Sequence, residues 1–263
     1  MGLSLFLRFV LYKFKSQMEY RGAFLIGIWG QGLGYVADFV VLWLLVQKFQ
    51  TINGWNWSEI ALLVSLNVFT YALGASFFYH MTGFDSLVIS GGFDRYLTSP
   101  LHPLTHLSAN QFNIGYIAHF IVAGSFLILS LVQLETDWSI ATIFFLGVVL
   151  VSGGLMHAAA FIFLGSWAFI FTSSQFLFTL YGALRDFISY PISIYGFFVQ
   201  TLLTFGIPFA FINYYPSVVI LSKDGGIFPT WLGLIAPLVA VACFLLSLLM
   251  WFYGIKRYQS AGG

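Results

Sequence analysis

Apolar residues run almost without interruption along this chain, in stretches long enough to cross a bilayer, and short polar segments divide them. A spanning helix needs about 20 mostly apolar residues. Six stretches meet that need, near residues 23–46, 58–80, 110–132, 139–165, 197–215 and 230–253. The runs are continuous and not alternating, which argues against an outer-membrane barrel. Ahead of the first run, Leu3, Phe6, Leu7, Val10, Phe14 and Met18 recur at helical spacing among Arg8, Lys13, Lys15, Glu19 and Arg21. That stripe predicts an amphipathic helix over residues 1–22, lying in the membrane interface. Charges spread this way differ from the front-loaded charge of a secretory signal. A polar segment marked by Gly and Pro fills 81–108, and 166–192 reads as an interfacial segment. The competing count is seven spans, the extra one near 161–180.

The basic residues orient the bundle. With the N-terminus cytoplasmic, Arg8, Lys13, Lys15, Arg21, Arg95, Arg185, Lys256 and Arg257 fall inside, and only Lys48 and Lys223 fall outside. Seven spans would send Lys256 and Arg257 outward, so six spans agree better with the charges. The C-terminus is then cytoplasmic too. The stretch Pro216–Pro229 is either an external loop or a segment that dips back into the bilayer, where protein must cover its backbone.

Composition sharpens the class. The chain has 263 residues, 60% of them apolar and 7% charged, with mean hydropathy +0.92. A soluble domain carries roughly 25% charged residues, so this is an all-α integral membrane protein, read as a single domain over 1–263. A net charge of +1 lacks the basic excess of a nucleic-acid binder. Cys243 is the only cysteine, which excludes a disulfide framework and a thiolate metal site.

Catalytic motifs are missing. No phosphate-binding Gly-x-x-x-x-Gly-Lys-Ser/Thr loop occurs, so ATP and Mg²⁺ would have to be held by another subunit. There is no Gly-x-Ser-x-Gly elbow and no His-Glu-x-x-His helix. His102 and His106 have ligand spacing, but Pro103 lies between them and no close carboxylate completes a site. His80, His119 and His157 are scattered and read as hydrogen-bonded interior or interfacial groups. No catalytic residue and no metal ligand is assigned.

The segment Gly91–Leu107, GGFDRYLTSPLHPLTHL, mixes apolar, aromatic and charged residues on the inner side. It predicts a short helix leaving the membrane as a docking knob. Phe93, Tyr96 and Leu97 would supply contact area and Asp94 and Arg95 orienting charge, while Pro100 and Pro103 stiffen the return. Gly92 and Leu101 complete the element.

This segment resembles the coupling region of ABC type-2 permeases of a six-span exporter subgroup. Tyr190–Tyr195 (YPISIY), Leu202–Pro216 (LLTFGIPFAFINYYP) and Trp251–Gly262 (WFYGIKRYQSAG) resemble the same subgroup. The resemblance covers nearly the whole chain and implies a permease domain in a bacterial inner membrane. It implies two copies of a cytosolic ABC ATPase as partners, and a second related permease, either in a heterodimer or as a homodimer. Cyanobacterial viologen exporter permeases look similar, which makes small organic or cationic aromatic compounds, drug-like or viologen-like, the expected cargo. Lipid or polysaccharide export is the alternative within the family.

Within the first span, Gln31, Tyr35 and Asp38 share one helix face. A charge at mid-membrane costs roughly 2.5–3.5 kcal/mol on insertion scales. Asp38 therefore reads as a cation-attracting group on the pathway, as a polar lock between permease subunits, or as a hydrated acid near the outer interface. Gly27, Gly30 and Gly34 allow close helix approach and favour a subunit interface there. Pro208 joins this translocation or interface set, though it also reads, like Pro191 and Pro216, as a kink or helix end. Arg185 and Asp186 read as inner-surface charges. An ion-coupled secondary transporter is the rival reading, and it calls for several intramembrane acids where Asp38 stands alone. An intramembrane enzyme or a non-transporting scaffold for an ATPase are further rivals.

Overall fold

The computed structural model describes residues 3–19, 21–171 and 173–259, and every regular element among them is a helix. In chain order these are α1 (Leu3–Glu19), α2 (Arg21–Phe49), α3 (Trp57–Phe78), α4 (Phe84–Ile89), α5 (Asp94–Leu97) and α6 (Pro103–Asn110). Then come α7 (Ile117–Gln133), α8 (Ile140–Ser166), α9 (Gln175–Phe187), α10 (Phe197–Thr201), α11 (Tyr214–Ile220) and α12 (Ala236–Arg257). The stripe at the start of the chain does form a helix, α1, with Leu5, Leu7, Leu11 and Tyr12 exposed. It leans on the bundle through Phe6, stacked on Phe77, and Phe9, against His106.

Among the described residues, five helical stretches are long and apolar enough to cross a membrane: Phe24–Phe49, Trp57–Ile89, Ile114–Gln133, Ile140–Phe169 and Thr230–Arg257. The start of α3 is set by a reciprocal capping box, in which Asn56 accepts from the Glu59 backbone and Glu59 accepts from that of Asn56. Glu59 also pairs with Lys223 at 3.0 Å. Beyond the other end of α3, Asp85 Oδ2 of α4 accepts from the Ser174 backbone at 3.3 Å. These two ends define opposite faces of the bundle, since 22 helical residues cover about 33 Å.

The sixth crossing is not where hydropathy puts it. Residues 197–215 were expected to span, but Phe197–Gly206 and Phe209–Ile220 are bent by 77° into a hairpin. Both hairpin ends meet the loop ahead of α3. Asn53 Nδ2 donates to Ser193 Oγ at 3.0 Å, and Lys223 Nζ donates to the Gly54 carbonyl at 2.8 Å. The hairpin thus enters and leaves on one face. The chain instead crosses between Ser174, tied to Asp85, and Ser193, tied to Asn53, with α9 as its core. This corrects the interfacial reading of 166–192. The count of six and the shared face of α1 and the C-terminal end of α12 are unchanged.

A hairpin inside the bilayer must satisfy its own backbone. Leu202–Gly206 forms a π-helical turn, and Asn213 Nδ2 donates to the carbonyls of Leu63 and Ile188 at 3.0 and 2.6 Å. Thr204 Oγ1 and the Tyr215 hydroxyl lie 2.7 Å apart across the two arms. Helices α3 and α8 cross closely because Gly74 lies against the Gly154 carbonyl while Gly153 and Gly154 receive Thr70 and Leu73. A Cβ on Gly74 would stand 2.7 Å from His157 Cβ and 2.8 Å from the Ala158 nitrogen.

Candidate functional site

The α3–α8 crossing brings polar rings together in an apolar bundle. Tyr71, one turn before Gly74, faces His157 of α8 at 5.6 Å between centroids. From α7, His119 lies 6.1 Å from Tyr71 and 4.5 Å from Tyr35 of α2, and Tyr116 lies 4.6 Å from His119. Helix α9 closes the cluster. Its Tyr181 hydroxyl and His157 Nδ1 share a 2.7 Å hydrogen bond. One turn on, the Arg185 guanidinium carbon sits 4.1 Å above the Tyr71 ring. Its charge also faces the phenol oxygens of Tyr35 and Tyr71.

The cluster is short of partners. Arg185 Nε, His119 Nδ1 and His157 Nε2 are buried without a hydrogen bond among the described residues. The ion pair formed among those residues is Lys223–Glu59, so no carboxylate is in ion-pair contact with Arg185, and the adjacent Asp186 acts on it only through space. Asp186 points outward and is exposed. No group of three metal-ligating side chains forms among the described residues. His102 and His106 do not converge, because His102 faces Phe252 and His106 faces Tyr96.

The predicted face of α2 is only partly engaged. Tyr35 is half-buried against His119, while Gln31 and Asp38 are exposed. The reason is local. Helix α2 grips the bundle through Phe39, Leu42 and Val46, and Phe39 stacks on Phe126 at 3.8 Å. That register turns Asp38 outward. Gly27, Gly30 and Gly34 meet nothing within 4 Å and face away from the rest of the chain. Pro208 sits at the hairpin tip, in an apolar groove of about 310 Å³ shared with Tyr181, Leu184, Met156 and Cys243.

The coupling segment folds into helices, but its aromatic residues point inward. Phe93 is fully buried, with Phe84, Phe169, Trp251 and Tyr258 all within 5.8 Å between ring centroids. Tyr96 is also buried, and its hydroxyl accepts 3.0 Å hydrogen bonds from Arg95 and Asn110. Both were expected as contact area for a partner. The correction follows from their spacing: residues 93 and 96 lie on one face of a helical turn, and that face caps the ends of α8 and α12. Leu97, Arg95, Thr98 and Pro100 form the exposed ridge, joined by Ile89. Gly92, Asp94, Leu101 and Pro103 are partly covered.

Arg185 was read as a surface charge, and the cage around it was not anticipated. A signal was present, since Tyr181 and Arg185 are four residues apart in a mostly apolar stretch, which puts them on one helix face. The chain matches the family described as "ABC-2 family transporter protein" over residues 33–262. No curated protein and no solved structure matches it.

Proposed function

This chain belongs to the ABC-2 transporter family, and we propose that it is the membrane-spanning permease subunit of an ATP-driven exporter. Membership carries association with an ABC ATPase subunit, which would hold ATP and Mg²⁺. Two ATPase copies and a second permease, either this chain again or a relative, would complete the transporter in a bacterial inner membrane. The face bearing α1 and the end of α12 would then be cytoplasmic.

The observation that supports this reading best is the mounting of the α4–α6 segment. It offers Ile89, Arg95, Leu97 and Pro100 outward while Phe93 locks it to Trp251 of α12 and Phe169 at the end of α8. Force applied to that ridge by closing ATPases would pass straight into two crossings. A ligand is carried only if the two resulting states bind it differently. Small organic compounds are the proposed cargo. For cationic aromatic cargo the acid in the first span, Asp38, would serve from the exposed side of α2, which can face a second permease.

Transport into inside-out vesicles containing the chain and its ATPase partner tests the reading. ATP-dependent, vanadate-sensitive uptake is expected. Uptake that instead follows a proton or sodium gradient without ATP would overturn it in favour of the ion-coupled alternative.

A further inference from the structure

We propose that Arg185 and its aromatic cage form an anion-recognising site, which takes the acidic group of an amphipathic cargo within the membrane. This deepens the permease reading and rests on it for the word cargo. The argument begins from cost. An arginine in a membrane-spanning segment pairs with an acid or lines a watered path. Here it has no acid, because the described residues place no carboxylate in contact with it. Its Nε, His119 Nδ1 and His157 Nε2 are all buried and unpartnered. The Arg185 Nε–H is a donor without a partner, and with His157 Nδ1 accepting from the Tyr181 hydroxyl, His157 Nε2 carries a second N–H, so the cluster offers donors to an oxyanion.

The surrounding rings define the rest of the ligand. Tyr35, Tyr71 and Tyr116 line the cluster with aromatic faces and phenol hydroxyls. Hydroxyl donors suit a carboxylate, sulfate or phosphate oxygen, and ring faces suit an apolar body. The groove between α8, α9 and the hairpin shares Tyr181 with the cage and is otherwise lined by groups such as Leu177, Leu180, Pro208 and Leu246. An acyl chain or aromatic tail fits that lining. A cation does not suit the cage, because it would meet Arg185 without a screening acid.

The ligand class is therefore an anionic head on an apolar body, drawn from either a phospholipid or a free organic acid. Equilibrium binding to the full chain in phosphatidylcholine nanodiscs tests it, with quenching of tryptophan fluorescence by pyrenebutyrate and by a pyrenebutyl-trimethylammonium probe. Wild type should bind the anionic probe at least about tenfold more tightly than the cationic one, the worth of one charge-assisted hydrogen bond. Arg185→Gln should lose that preference and Arg185→Lys should keep most of it. Equal binding of the two probes by wild type sinks the proposal, as does a preference that survives in a folded Arg185→Gln protein. Should Arg185→Gln fail to fold, the wild-type comparison and the Lys variant decide alone. Phosphatidylglycerol in the nanodisc distinguishes the sources, since displacement of the probe assigns a lipid headgroup and its retention a free acid. The readout needs no ATPase. Its failure leaves the ATP-driven reading intact, and failure of vesicle uptake leaves this binding result intact.

Discussion

The Tyr258 hydroxyl donates a 2.8 Å hydrogen bond to Asp94 Oδ1, joining the residue just after the last crossing to the first turn of α5. Tyr258 also lies against Phe93 and Phe169 through edge contacts at 5.4 and 5.9 Å. One residue thus clips the exposed ridge to two helix ends. Tyr258→Phe keeps the ring and removes the donor. It should cost about 1.5–3 kcal/mol of stability, the range for a hydrogen bond to a charged group, and should weaken coupling between ATP hydrolysis and transport. Thermal unfolding in detergent and the ratio of uptake to hydrolysis check both effects. An unchanged ratio would mean that the clip carries no motion.

Two substitutions in the same segment should separate fold from docking. Phe93→Ala removes a fully buried ring and should cost about 3–5 kcal/mol, visible as reduced yield and a lower unfolding temperature. Ile89→Ala with Leu97→Ala changes exposed side chains and should leave stability within about 0.5 kcal/mol while reducing ATPase co-purification. If the double variant retains its partner fully, the ridge is not the docking surface.

Much of the architecture is legible because membrane insertion writes it in apolar runs. The first four spans and the last begin within a few residues of where the apolar runs put them, although the second continues to Ile89. The fifth crossing is hidden for a physical reason. Helix α9 is only 13 residues long and carries Arg185, so it fails both the length and the charge expectation. The hairpin after it is more apolar and mimics a span. The cage is hidden for a related reason, since its rings come from α2, α3, α7, α8 and α9 and no local spacing unites them. Burial of Phe93 was not readable either, because a short amphipathic turn shows which residues share a face but not which side is covered.

The corrected crossing makes a direct prediction about topology. With Cys243 replaced, single cysteines at Asn53, Ser193 and Asp224 should react with an impermeant reagent from one side of the membrane. Cysteines at Ser173 and Thr98 should react from the other. Labelling of Ser193 and Ser173 from the same side would restore the interfacial reading of α9 and make 197–215 the span.

Close packing at Gly74 should be intolerant of even one methyl group. The added Cβ would press on the Ala158 nitrogen and the Gly154 carbonyl, 2.8 and 2.9 Å away, and backbone cannot rotate aside. Gly74→Ala should destabilise by about 1–3 kcal/mol and disturb the probe binding of the Arg185 cage, because Tyr71 and His157 flank the crossing. Gly27→Ala is the control, with open space around it and no expected loss in the isolated chain.

Acid should loosen the coupling segment through His106. Its pKa is held below the usual histidine value first by burial and then by the nearby charge of Arg95. Its Nδ1 has no partner among the described residues, and its ring packs on Phe9 of α1 and Tyr96. The sign follows from linkage. The folded state keeps His106 neutral where the unfolded chain, with a pKa of about 6.5, already binds a proton. Stability from this group is therefore complete above about pH 6.5 and declines as pH falls toward the lowered folded value. Unfolding temperatures at about pH 7.5 and about pH 5, on either side of the unfolded-chain value of about 6.5, should differ more in wild type than in His106→Phe, which keeps the ring contacts and cannot titrate. The other histidines are common to both proteins and cancel in the comparison. An equal drop in the two would place the acid sensitivity elsewhere, and a larger drop in His106→Phe would mean that the protonated ring stabilises the fold.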